Sequence, residues 1–157
     1  MAAYRFSVDC PVPADQLFAM LTDFSDSRPD YFPNLSRKTY QVLERHDGVA
    51  VVREGAGPFW TIERYDFSAP GRIWSVVQDS NVLAPGGMID MRIKPQNGRG
   101  STIEVNIERR FVGWRGGVMR FSIATRGGGT RFFRWQLKRS LVAIMSARRR
   151  QTLNRGR

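Results

Sequence analysis

The sequence predicts an α+β fold: one strand, two short helices, an antiparallel meander of six strands, and a long C-terminal helix. Two patterns carry most of this reading. Between Arg37 and Arg110, apolar and polar residues alternate in short runs separated by Gly-, Asn-, Asp- and Pro-containing turns, the period of half-buried strands. After Gly127-Gly128-Gly129 the period lengthens, and Phe133, Leu137, Leu141 and Ile144 recur at i, i+4, i+8 and i+11, one stripe of a helix.

The elements follow in order. Tyr4, Phe6 and Val8 alternate with Arg5, Ser7 and Asp9, and Pro11-Val12-Pro13 ends that strand. Leu17, Phe18, Met20, Leu21 and Phe24 then take helical spacing, with Pro13 near the start, where its missing N–H costs little. A second short helical or irregular piece, 27–35, is interrupted by Pro29 and Pro33. The meander reads as 39–45 and 49–54 around His46-Asp47-Gly48, then 59–67 and 72–78 around Ala69-Pro70-Gly71. A longer loop, 79–87, leads to 88–94 and 101–109. In the last pair Ile89, Met91, Ile93, Ile103, Val105 and Ile107 form one face, and Asp90, Arg92, Glu104, Asn106 and Glu108 the other. The segment 114–125 carries both periods: Trp114, Val118 and Phe121 suit a helix, and Met119, Phe121 and Ile123 a strand. Helix is the preferred reading.

A length of 157 residues fits one domain, here 1–147, followed by a basic tail, 148–157, that lacks the apolar stripe and is expected to fray. An apolar share of 41% and a charged share of 25% are those of a globular chain rather than a disordered one. No apolar run approaches the roughly 18 residues of a membrane span, and Met1–Cys10 lacks a signal-peptide core. One Cys and one His argue against a disulfide framework or a structural metal, so the expected setting is cytoplasmic, with no metal or cofactor. The formal charge of +11 is unevenly placed. Residues 1–100 hold 11 basic and 12 acidic side chains, whereas 101–157 hold 14 basic and only two acidic, Glu104 and Glu108.

The element order, together with the run Val8-Asp9-Cys10-Pro11-Val12-Pro13-Ala14-Asp15-Gln16-Leu17-Phe18-Ala19-Met20-Leu21-Thr22-Asp23, resembles the START-like or SRPBCC superfamily. That group includes the birch-pollen-allergen-like proteins and the polyketide cyclase/dehydrase family. Pro33 in Tyr31-Phe32-Pro33-Asn34-Leu35 also matches a Pro of its second helix, and the likeness covers about residues 3–147. The resemblance implies a helix grip: a curved, seven-stranded antiparallel sheet wrapped around the C-terminal helix, with two short helices closing one end. It further implies an apolar cavity between sheet and helix for a lipid, quinone, polyketide or similar molecule. Such concave sites work by apolar burial plus a few placed polar groups.

Candidate lining residues are Ile89, Met91, Ile103, Val105 and Ile107 on strands and Phe133, Leu137 and Leu141 on the helix, each of which also has the spacing of plain core. On the middle strands Phe59, Thr61, Glu63, Tyr65 and Phe67 share one face. If that face points inward, Thr61, Tyr65 and, from the next strand, Ser75 join the site. A buried Glu63 then requires a partner such as Arg53 or Arg109; a solvated salt bridge at the rim is the preferred alternative. No catalytic constellation is visible: His46 lies in a turn, Cys10 has no histidine base, and there is no G-x-S-x-G elbow. A cyclase-like reaction in the same cavity remains the alternative function, with Tyr65, Ser75 and Arg53 chemically able to polarise a carbonyl. Gly127-Gly128-Gly129-Thr130 lacks the Lys-Ser/Thr of a phosphate-binding loop and reads as a hinge or a simple turn.

On the C-terminal helix Arg131, Trp135, Lys138 and Arg139 fall away from the apolar stripe, and Arg148, Arg149 and Arg150 follow. A Trp within a basic face suits an anionic membrane surface. Alternatively Trp135 packs beneath 114–125. Nucleic acid is the competing partner for such a charge, without a recognised motif to support it.

Overall fold

The computed structural model describes the backbone of residues 1–97 and 100–155 and the side chains of all these through Ser146. Seven antiparallel strands form one sheet: β1 (Ala2–Cys10), β2 (Gln41–His46), β3 (Val49–Ala56), β4 (Phe59–Asp66), β5 (Arg72–Ser80), β6 (Met88–Pro95) and β7 (Ser101–Arg109). Their spatial order, β1-β7-β6-β5-β4-β3-β2, makes every neighbour after β2 consecutive in sequence, as short hairpin connections dictate. The exception is β1, which closes the other edge by pairing with β7 from Ala2↔Arg109 to Cys10↔Ser101.

The helices are α1 (Ala14–Leu21), α2 (Arg28–Tyr31), α3 (Gly113–Thr125) and α4 (Gly129–Arg155). The curved sheet and the long α4 form the expected helix grip, and 114–125 is helical. Two expectations are corrected. The second strand starts at Gln41 rather than Thr39, because the Thr39 hydroxyl donates to Gly55 O at 2.6 Å and Tyr40 N donates to Ser36 O, tying both residues into a turn. The α4 backbone stays helical through Arg155 instead of fraying after 147. The side chains of Arg148, Arg149 and Arg150 lie outside the described residues.

The core sits between the concave face of the sheet and α1 and α4. Phe6, Val8, Ile93, Ile103, Val105 and Ile107 meet Leu17, Leu21 and Phe24 from the α1 region and Leu141 and Ile144 from α4. The predicted α4 stripe therefore faces inward, with Phe133 and Leu137 packed at the margin of this core. Arg28 is buried where α1 turns into α2. Its guanidinium lies between the rings of Phe24 (4.3 Å) and Phe32 (4.2 Å) and donates to Leu21 O at 2.9 Å and Asp23 O at 3.1 Å. Among the described residues no helix is long and apolar enough to cross a membrane.

Candidate ligand cavity

The strand register sets the polar groups of the site. Ala50, Tyr65, Ser75, Ile89, Ile107 and Tyr4 lie in one row across six strands, each directly opposite the next. One step along, Val52, Glu63 and Val77 form a second row, and Glu54 pairs with Thr61 in a third. The face carrying Thr61, Glu63 and Tyr65 thus points inward. Glu63 is buried against Arg109 rather than solvated at the rim, which corrects the preferred expectation. Its Oε1 accepts from Arg109 Nη2 at 2.7 Å and its Oε2 from Ser75 Oγ at 2.8 Å; Arg109 Nη1 also reaches Gly87 O at 3.2 Å. Burial is tolerable here because both carboxylate oxygens and two guanidinium nitrogens are engaged. Arg53 takes no part in that pair; its guanidinium stacks 4.8 Å from the ring of Trp60.

A second polar pair lies beside the first. The Tyr65 hydroxyl donates to Glu54 Oε1 at 2.5 Å. Burial, reinforced by the nearby Glu63 carboxylate, pushes the Glu54 carboxyl above its ordinary range, against the opposing pull of Arg28 and of the Tyr65 hydrogen bond. Burial likewise holds the Tyr65 phenol well above its usual value, with Glu54 and Glu63 adding to the effect. Tyr40 is pushed up to about 12, chiefly by burial. Glu54 is therefore biased toward its neutral, proton-donating form, and Glu63 is paired with Arg109.

These groups adjoin a cavity of about 370 Å³. Glu54, Thr61, Glu63 and Arg109 line it from the sheet; Val82, Leu83, Ile89, Phe111, Met119, Ile123 and Phe133 supply apolar wall, and Asn34, Trp60 and Gln136 also border it. Its boundaries come from β3, β4, the loop after β5, β6, β7, α3 and the first turns of α4. The elements explain the position: α4 packs closely on β1 at one side of the sheet, and the space opens under its N-terminal end, where α3 bridges to the sheet. Among the described residues no three His, Cys, Asp or Glu side chains are grouped as metal ligands would be.

Of the sequence-derived candidates, Thr61, Ile89 and Phe133 line this cavity. Tyr65 and Ser75 stand one layer behind, hydrogen-bonded to the lining carboxylates of Glu54 and Glu63. Met91, Ile103, Val105, Ile107, Leu137 and Leu141 instead fill the core between sheet and α4. Alternation identifies their face but not where along the strand the helix stands off. Glu54 was missed, although Ala50, Val52 and Glu54 carry a period-two signal on a strand whose Ala50 and Val52 are fully buried. The α3 contributions, Met119 and Ile123, lie on the face opposite Trp114, Val118 and Phe121, the residues that carry the helical period in the sequence and stand exposed in the structure.

On the outer surface Arg131, Trp135, Lys138 and Arg139 are all exposed, and Arg139 stacks 5.4 Å from the Trp135 ring. Trp135 keeps 54% of its surface accessible, so it does not pack beneath α3.

No protein-family model matches the sequence, and no curated protein matches it significantly. Solved structures do match in shape. The Zhui aromatase/cyclase from Streptomyces sp. R1128 superposes with a TM-score of 0.71 at 15% identity, over 96% of this chain and 95% of that one. A START superfamily protein from Mycobacterium smegmatis gives 0.57 at 12% identity, over 92% of each chain. Truncated norcoclaurine synthase from Thalictrum flavum gives 0.63 at 12% identity, over 91% of this chain and 90% of that one. At such identities the likeness establishes the fold, a helix grip, and leaves chemistry to the site itself.

Proposed function

We propose that this START-like helix-grip protein binds or transfers a hydrophobic small molecule, of lipid, quinone or polyketide-like type, in the cavity between sheet and α4. The apolar body of the ligand lies against Leu83, Ile89, Met119, Ile123 and Phe133, and its polar group turns toward Glu54, Thr61 and the Glu63–Arg109 pair. The observation that carries this reading is the cavity itself. A volume of about 370 Å³ with mainly apolar walls and a few polar groups, Glu54, Thr61, Glu63 and Arg109 on the sheet among them, is that of a small-molecule site. The Glu54 carboxyl, biased toward its neutral form, and the Thr61 hydroxyl offer hydrogen bonds to a carbonyl or hydroxyl oxygen, which favours an oxygen-bearing ligand over a pure hydrocarbon.

Native mass spectrometry of the purified protein, followed by organic extraction, tests this. A bound small molecule is expected in the wild type and should be lost in Met119→Trp, which fills the cavity from α3. Absence of any bound molecule, together with equal uptake of an apolar fluorescent probe by both proteins, would reject it.

A second reading, a cyclase/dehydrase-like enzyme, is favoured by one specific arrangement. The Tyr65 hydroxyl holds the Glu54 carboxyl at the cavity wall, where burial biases it toward the proton-bearing form that can polarise a ligand carbonyl as a general acid. Glu54→Gln and Tyr65→Phe should then keep the ligand and abolish turnover; unchanged turnover rejects this reading and leaves the binding proposal intact.

A further inference from the structure

The helix α3 shows two opposite faces. Along a helix turning ~100° per residue, Gly116, Met119 and Ile123 fall on one side and Trp114, Val118 and Phe121 on the other. The first set faces the protein: Gly116 and Ile123 are buried, and Met119 and Ile123 line the cavity. The second set is turned to solvent, with Trp114 74%, Val118 47% and Phe121 71% accessible. Three large apolar side chains in one exposed stripe are not explained by packing. Arg115 and Arg120 flank the stripe, and both are exposed.

The surroundings decide what covers this stripe. Between residues 112 and 146 there are seven basic side chains and no acid. At the junction of α3 with α4, Arg126, Arg131, Phe132 and Trp135 enclose an outer groove of about 330 Å³. Phe132 lines both this groove and the interior cavity. A second copy of this chain, meeting the face about a two-fold axis, would bring arginine against arginine. A bilayer with anionic headgroups instead offers charge to the arginines and an apolar boundary to Trp114 and Phe121.

We propose that α3 is a membrane-docking lid: its Trp114–Val118–Phe121 face enters the headgroup boundary of an anionic phospholipid bilayer, with Arg115, Arg120, Arg126 and Arg131 on the headgroup phosphates. The lid is jointed at both ends. Gly113 has φ +65°, and Gly127 and Gly128 have φ +89° and +86°, conformations that glycine takes without strain. Docking thereby sets the outer face of the cavity wall against lipid, with Phe132 between groove and interior. This extends the basic α4 face around Trp135 onto a neighbouring element. It does not depend on the identity of the cavity ligand.

The test is co-sedimentation of the full chain with phosphatidylcholine vesicles, with and without phosphatidylglycerol, at low and high salt. Binding is expected only to the mixed vesicles, weakening with salt, with a blue shift of tryptophan emission. Trp114→Ser/Phe121→Ser should lower the partition constant about tenfold or more at unchanged thermal stability, since both side chains lie in solvent. Arg115→Gln/Arg120→Gln, which removes no apolar contact, should lower it several-fold and flatten the salt dependence. Met119→Trp should bind vesicles as the wild type does, which separates docking from cavity occupancy. Undiminished sedimentation of the Trp114/Phe121 variant would overturn the proposal. So would a wild-type dimer that this variant renders monomeric, or a loss confined to RNA binding.

Discussion

Glu63 and Arg109 are costly side chains to bury and hard to replace one at a time. Each has its charge engaged, Glu63 by Arg109 and Ser75, Arg109 by Glu63 and Gly87 O. Removing one partner leaves the other as an uncompensated buried charge, a loss of about 3–5 kcal/mol, whereas replacing both with apolar groups is often close to neutral. Arg109→Met should therefore lower the free energy of unfolding in urea by roughly that amount, and Arg109→Met/Glu63→Leu should recover most of it. A double variant as unstable as the single one would mean that the pair itself is needed for packing. Glu54 obeys a different rule. Its folded-state pKa is raised, so the folded protein holds this proton more tightly than the unfolded chain does. Its contribution is therefore most favourable below the ordinary carboxylate pKa and declines as pH rises from there through the raised value. Glu54→Gln keeps an acceptor for the Tyr65 hydroxyl and cannot ionise. Its melting temperature should exceed that of the wild type at neutral pH, and the gap should close toward pH 4. A gap independent of pH would show that Glu54 carries no raised pKa.

At the scale of elements, the close approach of α3 to the sheet edge depends on Gly116. A Cβ built on Gly116 would stand 2.7 Å from Val82 O and 3.2 Å from Phe111 C, both backbone atoms that cannot swing aside. Gly116→Ala thus has to lift the N-terminal half of α3 from the sheet edge. The expected net cost is about 1–3 kcal/mol of overpacking, only partly offset by the ~1 kcal/mol that alanine gains over glycine in a helix. Hydrogen exchange around Val82 and Phe111 should accelerate in this variant; protection equal to wild type would place the anchor elsewhere. The strands and helices themselves were legible because burial on one face writes a period into the chain, two in β7 with Ile103, Val105 and Ile107, near 3.6 in α4 with Phe133, Leu137 and Leu141. The cavity was less so. Ile89 and Ile107 are neighbours in one row, yet Ile89 lines the space and Ile107 is sealed in the core. That difference depends on how far α4 stands from the sheet, a distance set by elements far apart in sequence. In α3, the two faces became distinguishable only through the tertiary contacts of Gly116 and Ile123.

Across the whole molecule, the chain separates its charge from its cavity. The nearly neutral first 100 residues supply most of the sheet, including Glu54, Thr61 and Glu63, while the final segment supplies α3 and α4 together with the net positive charge. The two parts are locked together by β1, whose nine residues pair with β7 at the far edge of the sheet while α4 packs on it. Charge can therefore be removed from the end of α4 without disturbing the site. Among the described side chains of α4 the buried ones are Ser140, Leu141 and Ile144, with Met145 packed against the core, and residues 148–157 follow these anchors. Deleting them removes five arginines and no acid. At ~1 kcal/mol per basic residue near an anionic surface, they strengthen docking by about 5 kcal/mol at most, if all five reach it. The truncated protein should keep its melting temperature and its cavity ligand. It should bind phosphatidylglycerol vesicles more weakly, with a shallower salt dependence, and still show the blue shift from Trp114. Vesicle affinity and salt dependence equal to those of the full chain would confine the docking charge to α3 and the exposed arginines of α4.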